Sequence, residues 1–386
     1  MKKQVLFLLS FIGILLAISA CNKKTSITPN TINPQKLQIN QNIEALSSRI
    51  TYSSEAVIFS KNANGLQYTM VANIDPITIN GNRLSASAIT SDDQYMYICY
   101  HTKGEAIGGE ILTVDVSDVN EPSILQSATS TQLDFNNLSL STNRSKLWLC
   151  GDELVNNWGK AFAMELTLNE NIPAENASWF KSLDAYSGNS ITGTSKNGND
   201  YLWITSGSNG GLQVFNQNEI SEESFSFEAN NCKQFSAERY YGVMVFGVNT
   251  NLSVVRVFDL NNPFSYTDYE IPYDVSHLGK NGIAIYRRTA YLAMGEDGLI
   301  EFDLTHGVIK SIFKSDKGAY ANAAFVLKDY IYLAYGQAGL YILDRGSMSS
   351  LGNWDFDGSC NDVVADRNHV YIANGDGDGF IILSKN

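Results

Sequence analysis

Four histidines, five cysteines and 40 acidic residues supply the side chains able to bind metal, attack a carbonyl or move a proton. His101, His277, His306 and His369 are scattered and match no zinc spacing. Cys99, Cys150, Cys232 and Cys360 form no CxxC pair and no Cys/His cluster, a pattern that fits small buried packing residues and predicts no disulfide. The chain has no GxSxG elbow for an activated serine and no glycine loop to cradle a phosphate. Paired carboxylates for glycoside cleavage come together in space, so spacing along the chain neither reveals nor excludes them. Asp376-Gly-Asp378-Gly lacks the further acidic ligands and terminal Glu of a hand-type calcium loop and reads as a turn. No catalytic, metal or cofactor motif emerges. What remains are two polar stretches with binding-type residues. Tyr100 to Gly109 carries His101, Lys103 and Glu105, and Gly151 to Lys160 carries Asp152, Glu153, Asn157 and Trp158. An aromatic flanked by polar groups suits a glycan or a protein partner.

These residues sit in a chain of 386 residues, 44% of them hydrophobic, which is enough for a large core. The formal net charge of −13 disfavours nucleic acid as a partner, because phosphate binding needs a basic surface.

The N-terminus reads as an address. Lys2 and Lys3 precede an apolar run from Val5 to Ile18, too short and too early for a spanning helix. The run ends in Ile18-Ser19-Ala20-Cys21, which resembles the bacterial lipobox. That resemblance implies cleavage before Cys21 and acylation of it; an ordinary secretory signal with an incidental Cys21 is the alternative. Residues 1–20 are then the signal peptide and Cys21 a lipid anchor, firm because each buried CH₂ contributes about 0.8 kcal/mol. From position 22 to about 50 the composition is rich in Asn, Thr, Ser, Gln and Lys with Pro29 and Pro34, and predicts a flexible tether spanning roughly 30 Å. Asn22 is not the aspartate that marks inner-membrane retention in enterobacteria, which points to an outer membrane. The acidic run that sends some Bacteroidetes lipoproteins to the cell surface is missing, and the membrane face stays open.

Aligning the chain with itself exposes a repeat. Asn281–Leu304, Asn322–Asp344 and Asn361–Ser384 each read as a short apolar strand, a polar turn, a Tyr-aliphatic-Ala strand, a glycine turn and a third apolar strand. Weaker copies start at Ser87, Asn137, Asn189 and Asn231, which makes seven. One more extended stretch lies between copies, such as Pro122 to Ser127 and Ile309 to Phe313. Four antiparallel strands in about 40 to 50 residues is the size of a propeller blade. The last copy ends at its third strand, while a lone strand within Ala56 to Ile74 precedes the first. If that lone strand completes the last blade, the ring closes and its edges are protected. The expected fold is all-β, a seven-bladed β-propeller of four-stranded antiparallel blades over residues 51–386, closed by an N-terminal strand.

GGEILTVDVSDVNEPSIL, from Gly108 to Leu125, resembles the LVIVD-repeat signature, and GLIEFDL, GLYILD and GFIILS echo it more loosely. Asn216 and Leu383 stand where that signature has Asp. The chain thus resembles a bacterial, Bacteroidetes-like family of LVIVD-repeat propeller lipoproteins, mostly without assigned activity. The resemblance implies the fold and says little about chemistry.

With strands a to d running outward in each blade, the b–c and d–a loops share a face. The two polar stretches are the long b–c loops of blades 1 and 2, neighbours on that face. A second candidate is the asparagine that opens strand a in six copies: Asn137, Asn189, Asn231, Asn281, Asn322 and Asn361, with Ser87 in blade 1. These side chains either ring the channel mouth and hold water, an ion or a polar ligand, or each caps its own turn. The leading expectation is a lipid-anchored cell-envelope protein acting as a non-enzymatic binding or scaffold module toward a protein or glycan. An envelope enzyme acting on glycans would instead need carboxylates or a histidine converging at the channel mouth with shifted pKa values. A purely architectural subunit would show an apolar patch on the rim.

Overall fold

The central strands of each repeat are apolar on both sides, as in Leu147–Cys150 and Tyr97–Tyr100, so both faces of each small sheet must be covered. A ring of sheets packed face to face meets that demand. A computed structural model, which describes residues 36–386 apart from 58, 60–65, 156–157, 208 and 276–278, has this architecture. It is a seven-bladed β-propeller of antiparallel four-stranded blades. From the axis outward, blade 1 is Ser85–Ser91, Tyr95–His101, Gly109–Asp115 and Ser123–Ser130, and blade 2 is Leu133–Leu140, Lys146–Val155, Trp158–Asn169 and Trp179–Ser182. Blade 3 is Gly188–Lys196, Asn199–Ser206, Gly211–Asn216 and Glu223–Glu228; blade 4 is Phe235–Glu238, Tyr241–Asn249, Leu252–Asp259 and Asn262–Ile271. Blade 5 is Ile283–Tyr286, Thr289–Ala293, Leu299–Asp303 and Val308–Phe313; blade 6 is Ala323–Val326, Tyr330–Ala334, Leu340–Asp344 and Ser350–Trp354. Blade 7 combines Ser359–Ala365, His369–Gly375 and Gly379–Lys385 with the N-terminal strand Tyr68–Ile74, and so closes the ring.

The hydrophobic core lies between neighbouring blades. Tyr291, Ala293 and Leu299 of blade 5, for example, pack on Ile331, Leu333 and Tyr335 of blade 6. Strands at the outer rim have one wet face and revert to alternation, visible in Val308–Phe313. Cys99 and Cys150 are fully buried free thiols near the end of strand b, the place that Ala293, Ala334 and Ala373 fill in other blades. The b–c turns of blades 5 and 6 begin and end on glycines with positive φ. A Cβ on Gly298 or Gly339 would fall 2.1 Å from a carbonyl oxygen of the outermost strand, so no other residue fits there.

The folded part starts earlier than the expected boundary near residue 50. Gln38–Asn40 adds a fifth strand outside Ser123–Ser130 of blade 1. A one-turn helix, Ile43–Ser47, follows; Asn42 caps it by accepting the Ala45 N–H. Ile50–Tyr52 then pairs with the closing strand Tyr68–Ile74 of blade 7. This strap is polar in composition, but Leu37 and Leu46 are buried in separate core clusters. It is pinned by a bidentate ion pair: Arg49 Nη1 and Nη2 donate to Glu110 Oε1 and Oε2 at 2.6 and 3.0 Å. Glu110 is 0% exposed and the Arg49 side chain 11%. Burial alone would lower the guanidinium pKa, yet the Glu110 charge and hydrogen bonds outweigh it and hold it above its ordinary value. The strap therefore bridges the junction at which the ring closes. Cys21 and the signal segment lie outside the described residues.

Candidate functional site

A cavity of about 320 Å³ opens at the axis, lined by the starts of strands a and the ends of strands b. Both loop sets reach this face. Asp134, at the start of blade 2, accepts the Thr102 and Gly108 N–H groups at 2.9 Å each and so clamps the long b–c loop of blade 1. Lys103 of that loop pairs with Asp376 in the b–c turn of blade 7. The long b–c stretch of blade 2 is a lengthened hairpin: its strands stay paired out to Val155 and Trp158. Asn157 and the Trp158 side chain lie outside what the structure describes. Glu105 is exposed on the blade 1 loop, and His101 and Asp152 line the cavity. His277 is also outside the described residues. Among the described residues no group of three His, Cys, Asp or Glu side chains is arranged to hold a metal.

The asparagines do something the sequence reading missed. In blades 1, 2, 3 and 7 strand a carries a β-bulge, at Ser87, Asn136, Asn189 and Asn361. The extra residue turns its side chain out of the ladder and donates to a carbonyl of the next blade. Ser87 Oγ reaches Phe135 O at 2.8 Å, Asn136 Nδ2 reaches Gly188 O at 3.1 Å, and Asn189 Nδ2 reaches Cys232 O at 3.3 Å. Asn322 Nδ2 reaches Cys360 O at 2.9 Å, and Asn361 Nδ2 reaches Ala86 O of blade 1 at 2.8 Å. In blade 4 the same bridge is made by Lys233 Nζ, to Gly279 O at 2.9 Å. One residue further on, a second set accepts backbone N–H groups from the next blade: Asn137 from Ile191, Ser190 from Phe235 and Asp362 from Ile89. The amides thus tie blade to blade rather than capping their own turns.

Of the six expected ring asparagines, Asn137, Asn189, Asn322 and Asn361 line the cavity and Asn231 and Asn281 do not. Both exceptions have positive φ and belong to the chain entering the blade. Asn281 is buried, and neither amide atom has a partner among the described residues. Lys233 and Gln234 stand at the mouth where Asn231 was expected, Lys280 stands there in place of Asn281, and Asn136 joins Asn137.

The electrostatics are unusual for a surface recess. Lys280 spans the channel from blade 5 and donates from Nζ to Ser87 O of blade 1. Burial lowers its pKa, against the opposing pull of Cys99 and Asp362. Burial also lowers Lys233 to about 8. Asp152 is raised to about 6 by burial, with Ser187 and Asn136 pulling the other way. Asp362 is raised by burial too. Desolvation, with Lys280 and Lys103 nearby, drives His101 down to about 3, so its imidazole is neutral at any physiological pH. Two carboxylates and a neutral histidine therefore converge at the mouth with shifted pKa values, the arrangement that the enzyme alternative requires.

No family model matches the chain, and no curated protein matches its sequence. Solved propellers do. The RRP9 WD40 repeats are 11% identical with a TM-score of 0.61, over 85% of this chain and 100% of that one. U3-55K is 11% identical with a TM-score of 0.58, over 80% and 98%. The WD40 β-propeller domain of Doa1 is 10% identical with a TM-score of 0.57, over 83% and 97%. At such identities the likeness shows the fold alone: a WD40-like seven-bladed propeller.

Proposed function

We propose that this chain is a lipid-anchored cell-envelope protein, held through Cys21 to an outer membrane, whose propeller is a non-enzymatic binding or scaffold module of LVIVD-repeat type. The observation that carries the binding reading is convergence on one face. The ordered blade 1 loop, the lengthened blade 2 hairpin and the axial cavity all open on the side of the b–c and d–a loops. A rigid ring that presents loops and one polar recess fits recognition of a protein or a glycan. The lipobox-like Ile18-Ser19-Ala20-Cys21 and the polar stretch that follows support the address.

The convergence of Asp152, Asp362 and His101 favours a second reading, an envelope enzyme acting on glycans. One experiment separates the two. The purified full chain is incubated with solubilised envelope glycans, and both retention on the protein and release of new reducing ends are measured. The binding reading predicts retention without turnover, or capture of a protein after mild cross-linking, each weakened by a Lys103→Glu/Glu105→Lys exchange. Turnover abolished by Asp152→Asn would replace the binding reading with the enzyme. The architectural reading draws on a partly exposed aromatic strip at the rim of blade 4, Phe264 and Tyr266, and predicts partner capture that ignores the loop exchange.

A further inference from the structure

The lengthened hairpin of blade 2 ends in an apolar tip that neither the cavity nor the blade 1 loop explains. Strand a of blade 2 pairs with this hairpin as far as Glu153. The two hairpin strands run on past that point, pairing Leu154 with Gly159 and Val155 with Trp158. The extension is braced on both sides: the Leu154 N–H donates to Gln132 O at 3.0 Å, and the Ala161 N–H to Ala185 O at 2.9 Å. Leu154 and Val155 are nevertheless 43% and 36% exposed. Tyr186, in the connection beside the returning strand, is 64% exposed, and its carbonyl oxygen lies 3.9 Å from where a Cβ on Gly159 would stand. The tip sequence Leu-Val-Asn-Asn-Trp-Gly, 154–159, holds no charged residue in a chain of net charge −13. Glu153 below it is buried, and the first cation after it, Lys160, is paired with Asp184 at 3.3 Å. Neighbouring exposed apolar side chains on a braced projection mark a contact surface.

Two observations choose the occupant. The first is where the tether joins the ring. Lys36 bridges to Asn176, and the Leu37 N–H donates to Glu175 O at 2.9 Å, so the first described residues lie against the c–d connection of this same blade. Cys21 stands 15 residues earlier, a length that reaches ~50 Å fully extended and roughly 20 Å as a flexible coil. A bilayer anchored at Cys21 is thereby held near blade 2 at a high effective concentration, at which even a weak contact is occupied. The second is chemistry. Aliphatic side chains with Trp and Tyr and without charge suit the headgroup–acyl boundary, where rings with one polar edge collect. A net-negative protein gains nothing from anionic headgroups, so the contact is apolar rather than electrostatic. We infer that the blade 2 hairpin tip, together with Tyr186, inserts into the surface of the bilayer to which Cys21 is tethered, and turns the b–c and d–a face toward the lipid. The inference rests on the reading of Cys21 as the anchor.

The test keeps the two apart. The mature chain of that reading, Cys21 to Asn386, is coupled through the Cys21 thiol to a maleimide-headgroup lipid in phosphatidylcholine vesicles, so that no acylation is needed. The other four cysteines are fully buried and do not compete. A fluorescent residue is incorporated at position 154, or at Thr142, exposed on the a–b turn of blade 2 at the opposite face, and quenching by doxyl-labelled phosphatidylcholine is measured. Position 154 is expected to be quenched several-fold more strongly than position 142. The difference should survive about 0.5 M salt, which screens charges within a few ångströms. It should vanish in Val155→Asp/Tyr186→Asp, with circular dichroism showing that the variant is folded. Three results would overturn the inference: no excess quenching at position 154; loss of that excess in high salt; or unchanged quenching in the folded double variant, which would mean that the fluorophore alone seeks lipid. Fatty-acid incorporation at Cys21 in cells is a separate assay, so failure of the anchor and failure of the tip contact are told apart.

Discussion

Removing the Arg49 guanidinium is the sharpest test of how the ring is held shut. Arg49→Met keeps most of the side-chain volume and deletes both bonds to Glu110, at 2.6 and 3.0 Å, and the Nε bond to Asp75 O at 2.8 Å. Glu110, 0% exposed, then keeps a single side-chain donor, Ser127 Oγ at 2.5 Å. Leaving one member of a buried pair uncompensated costs about 3–5 kcal/mol. That is a large share of the ~5–15 kcal/mol that holds most domains folded. The internal control is Lys36–Glu175, a pair whose side chains are 59% and 45% exposed; Lys36→Met should cost less than about 1 kcal/mol. The assay is urea unfolding followed by tryptophan fluorescence and far-UV circular dichroism; coincidence of the two probes would license a two-state free energy. Because the pair is coupled, Arg49→Met/Glu110→Met should recover at least about 2 kcal/mol relative to the sum of the single changes. A loss under about 1 kcal/mol for Arg49→Met, or strict additivity in the cycle, would refute the strap as a lock on ring closure.

Three further outcomes follow from the same geometry. Asn361→Ala deletes the bridge from blade 7 to Ala86 O of blade 1, so it should cost about 0.5–1.5 kcal/mol in the same unfolding assay. Asp152 has a folded pKa, about 6, above its unfolded value. Its contribution is therefore fully present below about pH 4 and is lost as pH rises through 6. Asp152→Asn should then raise stability at pH 8 by at most about 3 kcal/mol and flatten the pH dependence between 4 and 7, as read by thermal unfolding across that range. The neighbouring Asp134, raised to about 6 by burial, remains in both proteins, and its charge is one of the causes that raise Asp152, so the comparison reads Asp152 together with that coupling. Cys21→Ser should move the protein from the membrane to the soluble fraction and abolish incorporation of a labelled fatty acid, if the thiol carries the anchor.

Much of the architecture was legible because a repeat writes the same signals seven times. The Tyr-aliphatic-Ala strands, the glycine turns and the orphan strand before the first copy together give the blade count and the closure, since unpaired edges are unfavourable. The strap was not legible. Leu37 and Leu46 are two apolar residues in a polar stretch, and only the bare outer edges of blades 1 and 7 give Gln38–Asn40 and Ile50–Tyr52 a reason to become strands. The site was half legible. Apolar periodicity locates strand a but does not register a bulge, so Asn136 was hidden behind Asn137. The expected position in blade 4 fell on Asn231, two residues short of Lys233. A lysine beside the opening of strand a in two copies, Lys233 and Lys280, was the available signal. Their meeting with Asp152 and Asp362 is a product of ring closure that no local spacing records.

The most direct test of a module that binds through one face is site-resolved photo-cross-linking in native envelopes. A photoactivatable residue is placed at Glu105, exposed on the blade 1 b–c loop, or at Thr142, exposed on the a–b turn of blade 2 at the opposite face. Binding through the b–c and d–a face gives a discrete adduct from position 105 and none from position 142. An adduct from position 142 alone, equal labelling from both, or no adduct from position 105 would contradict it.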